Sequence, residues 1–195
     1  TNLIPTPQNI KGARLFISAK YFTQAVPMAE QEAPLVDSLD TETGRGYGNV
    51  LGTKLGIRSA NVDGVVKGIG KGFVTIEDAQ GKRHKQEIYS YFPHARKTFT
   101  HDTPLVKIGQ QIKAGQAIAR SNYTDADGNL SLGKNLRVAF MAAPGGSSFE
   151  DAIAVSRSTA DKMTSTHMYG FDVDLKNGVE SSKSKFVQLF PNKLR

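Results

Sequence analysis

From residue 63 onward, glycines cut the chain into short β-branched runs, and this punctuation limits what it can fold into. Val65-Val66-Lys67-Gly68-Ile69-Gly70 and Gly72-Phe73-Val74-Thr75-Ile76-Glu77 read as two strands of a hairpin, and Asp78-Ala79-Gln80-Gly81 supplies the next turn. Lys82-Arg83-His84-Lys85 is a basic turn or strand edge. The run from Gln86 to Phe92 is a further strand that Pro93 should end. Val106 to Ala119 holds two short strands whose turn glycines, Gly109 and Gly115, stand six residues apart. That spacing suits a small barrel or sandwich-barrel, where glycine lets the backbone bend sharply at a corner. Tyr123 to Gly133 reads as a loop, and Leu136 to Met141 as an apolar strand covered on both faces. Phe149 to Val155 is the next extended candidate. Ser156 can N-cap a short helix through Lys162. His167 to Leu175 alternates again, and Lys176 to Arg195 is polar and basic. No internal repeat is read from the chain.

Before residue 63 the pattern differs. Gly12 to Phe22 predicts a short helix that ends before Pro27. Residues 37–62 hold Gly44, Gly46, Gly48, Gly52 and Gly56 with few large apolar groups, and read as loop and short turns. The expected fold is mainly β with short helices (α+β). Residues 1–62 form an N-terminal segment and glycine-rich connection, and residues 63–195 a β-rich core.

The 195 residues suffice for one large or two small domains, but 38% hydrophobic content is lean for a self-sufficient globule and implies burial against partners. The absence of cysteine excludes disulfides and Cys-based zinc sites, in keeping with a reducing cytoplasm. A net charge of +7 favours polyanionic partners, although it equally describes a merely soluble basic protein. No apolar run reaches the roughly 20 residues of a membrane span, so no membrane association is expected. No basic-then-apolar leader precedes Pro5, and the start at Thr1 is read as a trimmed, processed or excised end.

Among possible chemical motifs, Asp125-Ala126-Asp127-Gly128 opens like a calcium loop, yet Asn135 stands where the closing acid should be, so an Asp-Gly turn is the better reading. Gly68-Ile69-Gly70-Lys71-Gly72 lacks the following helix that a phosphate loop needs, and reads as a hairpin. His84, His94, His101 and His167 are scattered without ligand spacing and read as surface or loop histidines. Glu150-Asp151 follows a Gly-Gly-Ser-Ser loop. On a strand the two carboxylates point to opposite faces, so one could reach a cation or phosphate site, although spacing alone fits an ordinary acidic strand start.

Longer stretches change that balance. Gly133-Lys134-Asn135-Leu136-Arg137-Val138-Ala139-Phe140-Met141, followed by Gly146-Ser147-Ser148-Phe149-Glu150-Asp151-Ala152-Ile153-Ala154-Val155-Ser156, resembles the β subunit of cellular multisubunit RNA polymerases. There a Gly-x-Asn-Met-Arg-Val-Ala-Phe-Met run leads into Gly-Tyr-Asn-Phe-Glu-Asp and a Ser-initiated helix. Leu3-Ile4-Pro5, Arg14, Gln24-Ala25-Val26-Pro27 and Pro34-Leu35-Val36 fall at the family's spacing, and Thr124-Asp125 before Leu130-Ser131-Leu132-Gly133 resembles its loop. The resemblance is dense at residues 3–36 and 104–167.

The resemblance implies part of a double-psi barrel in a DNA-directed RNA polymerase. It implies that Glu150 and Asp151 neighbour the second Mg²⁺, which accompanies the nucleoside triphosphate, that Arg14 contacts the triphosphate, and that Gln24 lies near the growing RNA end. Lys20, Gln24 and Arg137 become nucleic-acid candidates, with Arg137 read equally as a structural ion-pair partner. Magnesium and cationic groups that hold phosphates suit phosphoryl transfer, and an arginine fork suits bidentate phosphate contact. The implied partners are a β′-type chain, remaining β segments, template DNA, RNA and nucleoside triphosphates.

This chain departs from the family in two places. Asn9-Ile10-Lys11-Gly12-Ala13 replaces a His-Asp-Asp-Ala-Asn stretch, and Ser147-Ser148 replaces Tyr-Asn. Such drift resembles a divergent polymerase of a large bacteriophage with split subunits. The Asn-Ala-Asp-Phe-Asp-Gly-Asp loop that holds the catalytic Mg²⁺ in the other large subunit is not in this sequence, so the chain alone is expected to be inactive. Two alternatives are a non-enzymatic barrel-sandwich module, lacking the modifiable-lysine context of biotinyl and lipoyl carriers, and a basic nucleic-acid-binding scaffold.

Overall fold

A computed structural model describes residues 2–94, 97–141 and 153–170. Three α-helices, α1 (Gly12–Thr23), α2 (Tyr47–Gly56) and α3 (Arg157–Lys162), flank nine strands. The strands are β1 (Ile57–Ser59), β2 (Gly64–Gly70), β3 (Phe73–Glu77), β4 (Arg83–Glu87), β5 (Phe92–Pro93), β6 (Phe99–Thr100), β7 (Asp102–Pro104), β8 (Gln111–Ile112) and β9 (Ala117–Ser121). The α+β expectation holds. Among the described residues no helix is long and apolar enough to cross a membrane.

The strands form a sheet ordered β4-β3-β2-β8, a second ordered β1-β9-β7 and a small β5-β6 pair. All pairings are antiparallel. Period-2 alternation on β3 buries Val74 and Ile76 and leaves Phe73, Thr75 and Glu77 less covered. The two larger sheets share one core of Ala60, Val66, Val74, Ile76, Ile88, Val106, Ile112, Ile118 and Ala119. As expected, Gly68 to Gly72 is a hairpin, with Gly70 paired to Phe73 and Gly72 at φ +82°.

Gly109 and Gly115 take φ of +87° and +82°, a region that favours glycine. Around them the backbone repeats. Gln110 N–H bonds Lys107 O and Gln116 N–H bonds Lys113 O, while each Gln side-chain oxygen accepts from the N–H of the lysine three residues back. Reciprocal bonds tie Gly109 and Gln110 to Val66, and Gly115 and Gln116 to Ala60. Lys-x-Gly-Gln is thus a six-residue structural repeat, which corrects the reading of a chain without one.

Three further expectations are corrected. Residues 47–56 form helix α2 instead of loop, because its glycines make a contact face. Gly48, Gly52 and Gly56 are buried at four-residue spacing, and a Cβ on Gly52 would stand 2.2 Å from Gly128 O and 2.6 Å from Leu130 N. Asp37 caps this helix from a distance by accepting from Gly48 N–H at 2.7 Å. Close backbone approach therefore outweighs the helix cost of glycine, about 1 kcal/mol each.

The strand expected to run to Phe92 stops at Glu87, because Tyr89 N–H turns to the Asp102 carboxylate; Pro93 instead lies within β5 and pairs with Phe99. Leu136 to Met141 lies in no strand or helix and is open rather than covered: Val138 is 70% and Phe140 98% exposed. No sheet edge among the described residues reaches it.

Ser156 caps α3 as expected, its hydroxyl accepting from Thr159 N–H. Asp125 closes the expected Asp-Gly turn by accepting from Asp127 and Asn129 N–H groups. The N-terminal segment is clasped to the chain beyond the two-sheet core. Glu32 N–H bonds Gly133 O, and the Glu32 carboxylate accepts from Lys134 Nζ and from the backbone and side chain of Asn135. These bonds, led by Asn135 N–H and then Lys134, hold the Glu32 carboxyl below its ordinary range.

Candidate nucleic-acid interface

A cleft of about 1180 Å³ opens where the end of α1, α2, the β1-β9-β7 sheet and the 89–101 segment meet. Its charged lining consists of Lys54, Arg58 and Lys97, with His94 and His167 as further nitrogen bases, and no aspartate or glutamate among the described residues. Phe22, Tyr89 and Tyr123 add aromatic surface. Burial raises the Tyr123 phenol above its ordinary value, so it remains a neutral hydroxyl at physiological pH.

One ion pair organises the wall. Gly56 ends α2, and the chain enters β1 directly, which carries Arg58 to the cleft. Asp102, on β7 across β9, has a fully buried side chain. Its Oδ2 accepts from Arg58 Nε at 3.0 Å and from Tyr89 N–H at 2.9 Å. The Arg58 guanidinium also lies over the Tyr89 ring, 4.7 Å from its centroid. Asp102 Oδ1 and the neighbouring His101 Nδ1 are buried without a hydrogen-bond partner among the described residues. Tyr91, at φ +51°, stacks its ring on His101 at 4.1 Å and keeps this part of the 89–101 segment folded on itself.

Gln24, the residue that ends α1, lines the cleft. Lys20 lies one helical turn before it and is exposed, four residues away on the same helix face. Arg14 is exposed in the first turn of α1, and Arg137 is exposed on the open 136–141 segment; neither lines the cleft. Glu150 and Asp151 lie outside the described residues. Among the described residues no three His, Asp or Glu side chains converge as metal ligands. Arg58 and Asp102 escaped the sequence reading because they are 44 residues apart and meet only through β9.

Residues 59–193 match the family model described as RNA polymerase Rpb2, domain 6. This chain belongs to the RNA polymerase β/Rpb2 family. It is 33% identical over 180 residues, 91% of its length, to a DNA-directed RNA polymerase subunit beta of Chloroflexus aggregans. It is 32% identical over 177 residues (89%) to that of Fusobacterium nucleatum, and 30% identical over 179 residues (90%) to that of Prochlorococcus marinus. It spans only 14%, 14% and 16% of those relatives, respectively. The match to this β/Rpb2 member covers β2 to β9, the wall residue Tyr89 and the Asp102 buried behind it.

Proposed function

We propose that this chain works as one segment of a multisubunit DNA-directed RNA polymerase, contributing to nucleotide binding and RNA-end positioning, and that it is inactive alone. The observation that carries this reading is the similarity to β subunits through 91% of the chain. The basic cleft, whose described lining holds Lys54, Arg58 and Lys97 and has Gln24 on its wall, supports it independently. In this reading residues 1–62 form a fork-like entry segment, and residues 63–195 belong to the polymerase core, including part of a double-psi barrel.

Arg14 would hold the triphosphate of the incoming nucleotide, Gln24 and Lys20 the RNA end, and Arg137 the nucleic acid or a neighbouring subunit. Glu150 and Asp151 would stand beside the second Mg²⁺. When bound, Mg²⁺ neutralises charge on the transferring phosphates. The partners would be a β′-type chain carrying the catalytic aspartates, the remaining β segments, template DNA, RNA and nucleoside triphosphates. The setting would be the cytoplasm of a cell infected by a large bacteriophage, or the virion.

The test is affinity purification of the chain from its native cells, followed by substitution in the assembly recovered. A co-purifying chain with the Asn-Ala-Asp-Phe-Asp-Gly-Asp loop is expected. Glu150→Ala or Asp151→Ala should slow nucleotide addition while leaving assembly intact, and Arg14→Ala should raise the apparent KM for nucleotide. Elongation unchanged at limiting Mg²⁺ would remove the two acids from the site, and recovery of a lone folded monomer would remove the polymerase reading. The second reading, a non-enzymatic barrel-sandwich assembly module, rests on the shared core of the two sheets and predicts that lone monomer.

A further inference from the structure

We infer that Arg58, held by Asp102, is a fixed fork for a backbone phosphate of a single-stranded nucleic acid lying in the 1180 Å³ cleft. This deepens the polymerase reading and rests on it only for the origin of the strand. Arginine usually reaches a phosphate at the cost of ordering a long side chain. Here that ordering is already done: Nε is bonded to a carboxylate that is 0% exposed, and the Tyr89 ring supports one guanidinium face. The side chain remains 26% exposed on the cleft wall, and its terminal amino groups have no hydrogen bond among the described residues. A guanidinium bound through Nε still offers its two terminal N–H groups end-on to two phosphate oxygens.

The surroundings select the ligand. With Arg58 balanced by Asp102, Lys54 and Lys97 leave the lining positive, since it holds no carboxylate among the described residues. The Lys97 ammonium lies 4.8 Å from the Tyr169 ring centroid. Asp40 is the acid that feels Lys54, and it is not part of the lining. Phe22, 41% exposed, offers a ring on which a base can stack. The volume exceeds the roughly 300–1,000 Å³ of small-molecule pockets, which fits a strand better than a free nucleotide.

The experiment is fluorescence-anisotropy titration of a labelled 12-nucleotide single-stranded RNA, and its DNA counterpart, against the full chain over a KCl series. The measurement is repeated on the complex recovered with the chain. Arg58→Lys keeps the charge but loses the fork, and should weaken binding several-fold. Arg58→Gln with Asp102→Asn, which avoids an unpaired buried charge, should weaken it about tenfold and lower the salt slope by about one phosphate. Lys54→Gln and Lys97→Gln, on exposed side chains, should each weaken it a few-fold, and they carry the test if the double variant does not fold. Lys107→Gln and Lys113→Gln, on the glycine turns, should leave binding unchanged. Equal losses in these controls, native binding by Arg58→Lys, or displacement of the oligonucleotide by micromolar ATP would overturn the proposal. Failure to recover a polymerase partner would remove the transcription setting and leave this binding result readable.

Discussion

The 57–124 region and the segments around it solve the problem of apolar surface in opposite ways. Between β1 and Thr124, two sheets bury Val66, Val74, Ile76 and Ile118 completely against one another. Outside it, α1 buries no residue fully and shows Phe16 at 72%, while Leu136 to Met141 holds Phe140 almost wholly in solvent. The first region has its own core. The second presents apolar side chains that no described residue covers. The lean hydrophobic content is therefore an average over one region with its own core and one with exposed apolar surface.

The largest test of that contrast is a pair of truncations. Ile76→Ala removes a side chain with no solvent exposure and should cost about 2–5 kcal/mol, through lost transfer energy plus the cavity left behind. Phe140→Ala removes a larger side chain and should shift stability of the chain by no more than about 0.5 kcal/mol. Urea unfolding midpoints of the two variants check this. Similar losses would mean that the 136–141 segment packs on the two-sheet core, and the contrast would disappear. If the chain is recovered from cells in the proposed complex, the order should partly reverse, with Phe140→Ala reducing the yield of complex.

Much of the two-sheet region was legible because local pattern and fold agree there. The hairpin at Gly68 to Gly72 and the six-residue glycine spacing are set by residues that touch their sequence neighbours. The capped helix after Ser156 was legible for the same reason. Where the reading failed, the deciding partner was distant. Pro93 was expected to end a strand, but Asp102, thirteen residues beyond Tyr89, had already drawn the chain away. Leu136 to Met141 has the composition of a covered strand, and no cover stands among the described residues. At the cleft, Gln24 is singled out through resemblance alone, whereas the Arg58–Asp102 pair leaves no trace in the local pattern.

Helix α2 shows the same lesson at smaller energy. In an exposed helix, Gly→Ala stabilises by up to about 1 kcal/mol. At Gly52 the added Cβ would meet the backbone of Gly128 and Leu130, which cannot rotate away, so Gly52→Ala should destabilise by about 1–3 kcal/mol. Gly12→Ala, at the start of α1 with nothing within 4 Å, should be neutral or slightly stabilising. Thermal melting of the two variants reads the sign directly. A stabilising Gly52→Ala would mean that α2 stands off the 128–130 turn.

The smallest effect is electrostatic, and it sharpens the contrast because each region has its own acid reporter. In the two-sheet region, the Lys67 hydrogen bond and then Arg83 hold Glu77 below its ordinary range, while His84 and then Lys82 N–H do so for Asp78. Glu32 plays the same part in the clasp outside it. In each case the unfolded chain binds the proton more readily than the folded one. The contribution is therefore complete above the unfolded values, about pH 4, and is lost as pH falls below them towards the depressed folded values. Exposure of Lys67 and Arg83 keeps the term small and open to screening, so 1 M KCl should flatten it. Glu77→Gln should flatten the acid dependence of the two-sheet region's melting midpoint and leave the clasp unchanged. Glu32→Gln should instead remove the acid dependence of amide protection at Glu32, whose N–H bonds Gly133. Hydrogen exchange at about pH 3 and pH 6 separates the two, and if either substitution moved both signals, the clasp and the two-sheet region would be one cooperative unit rather than two regions.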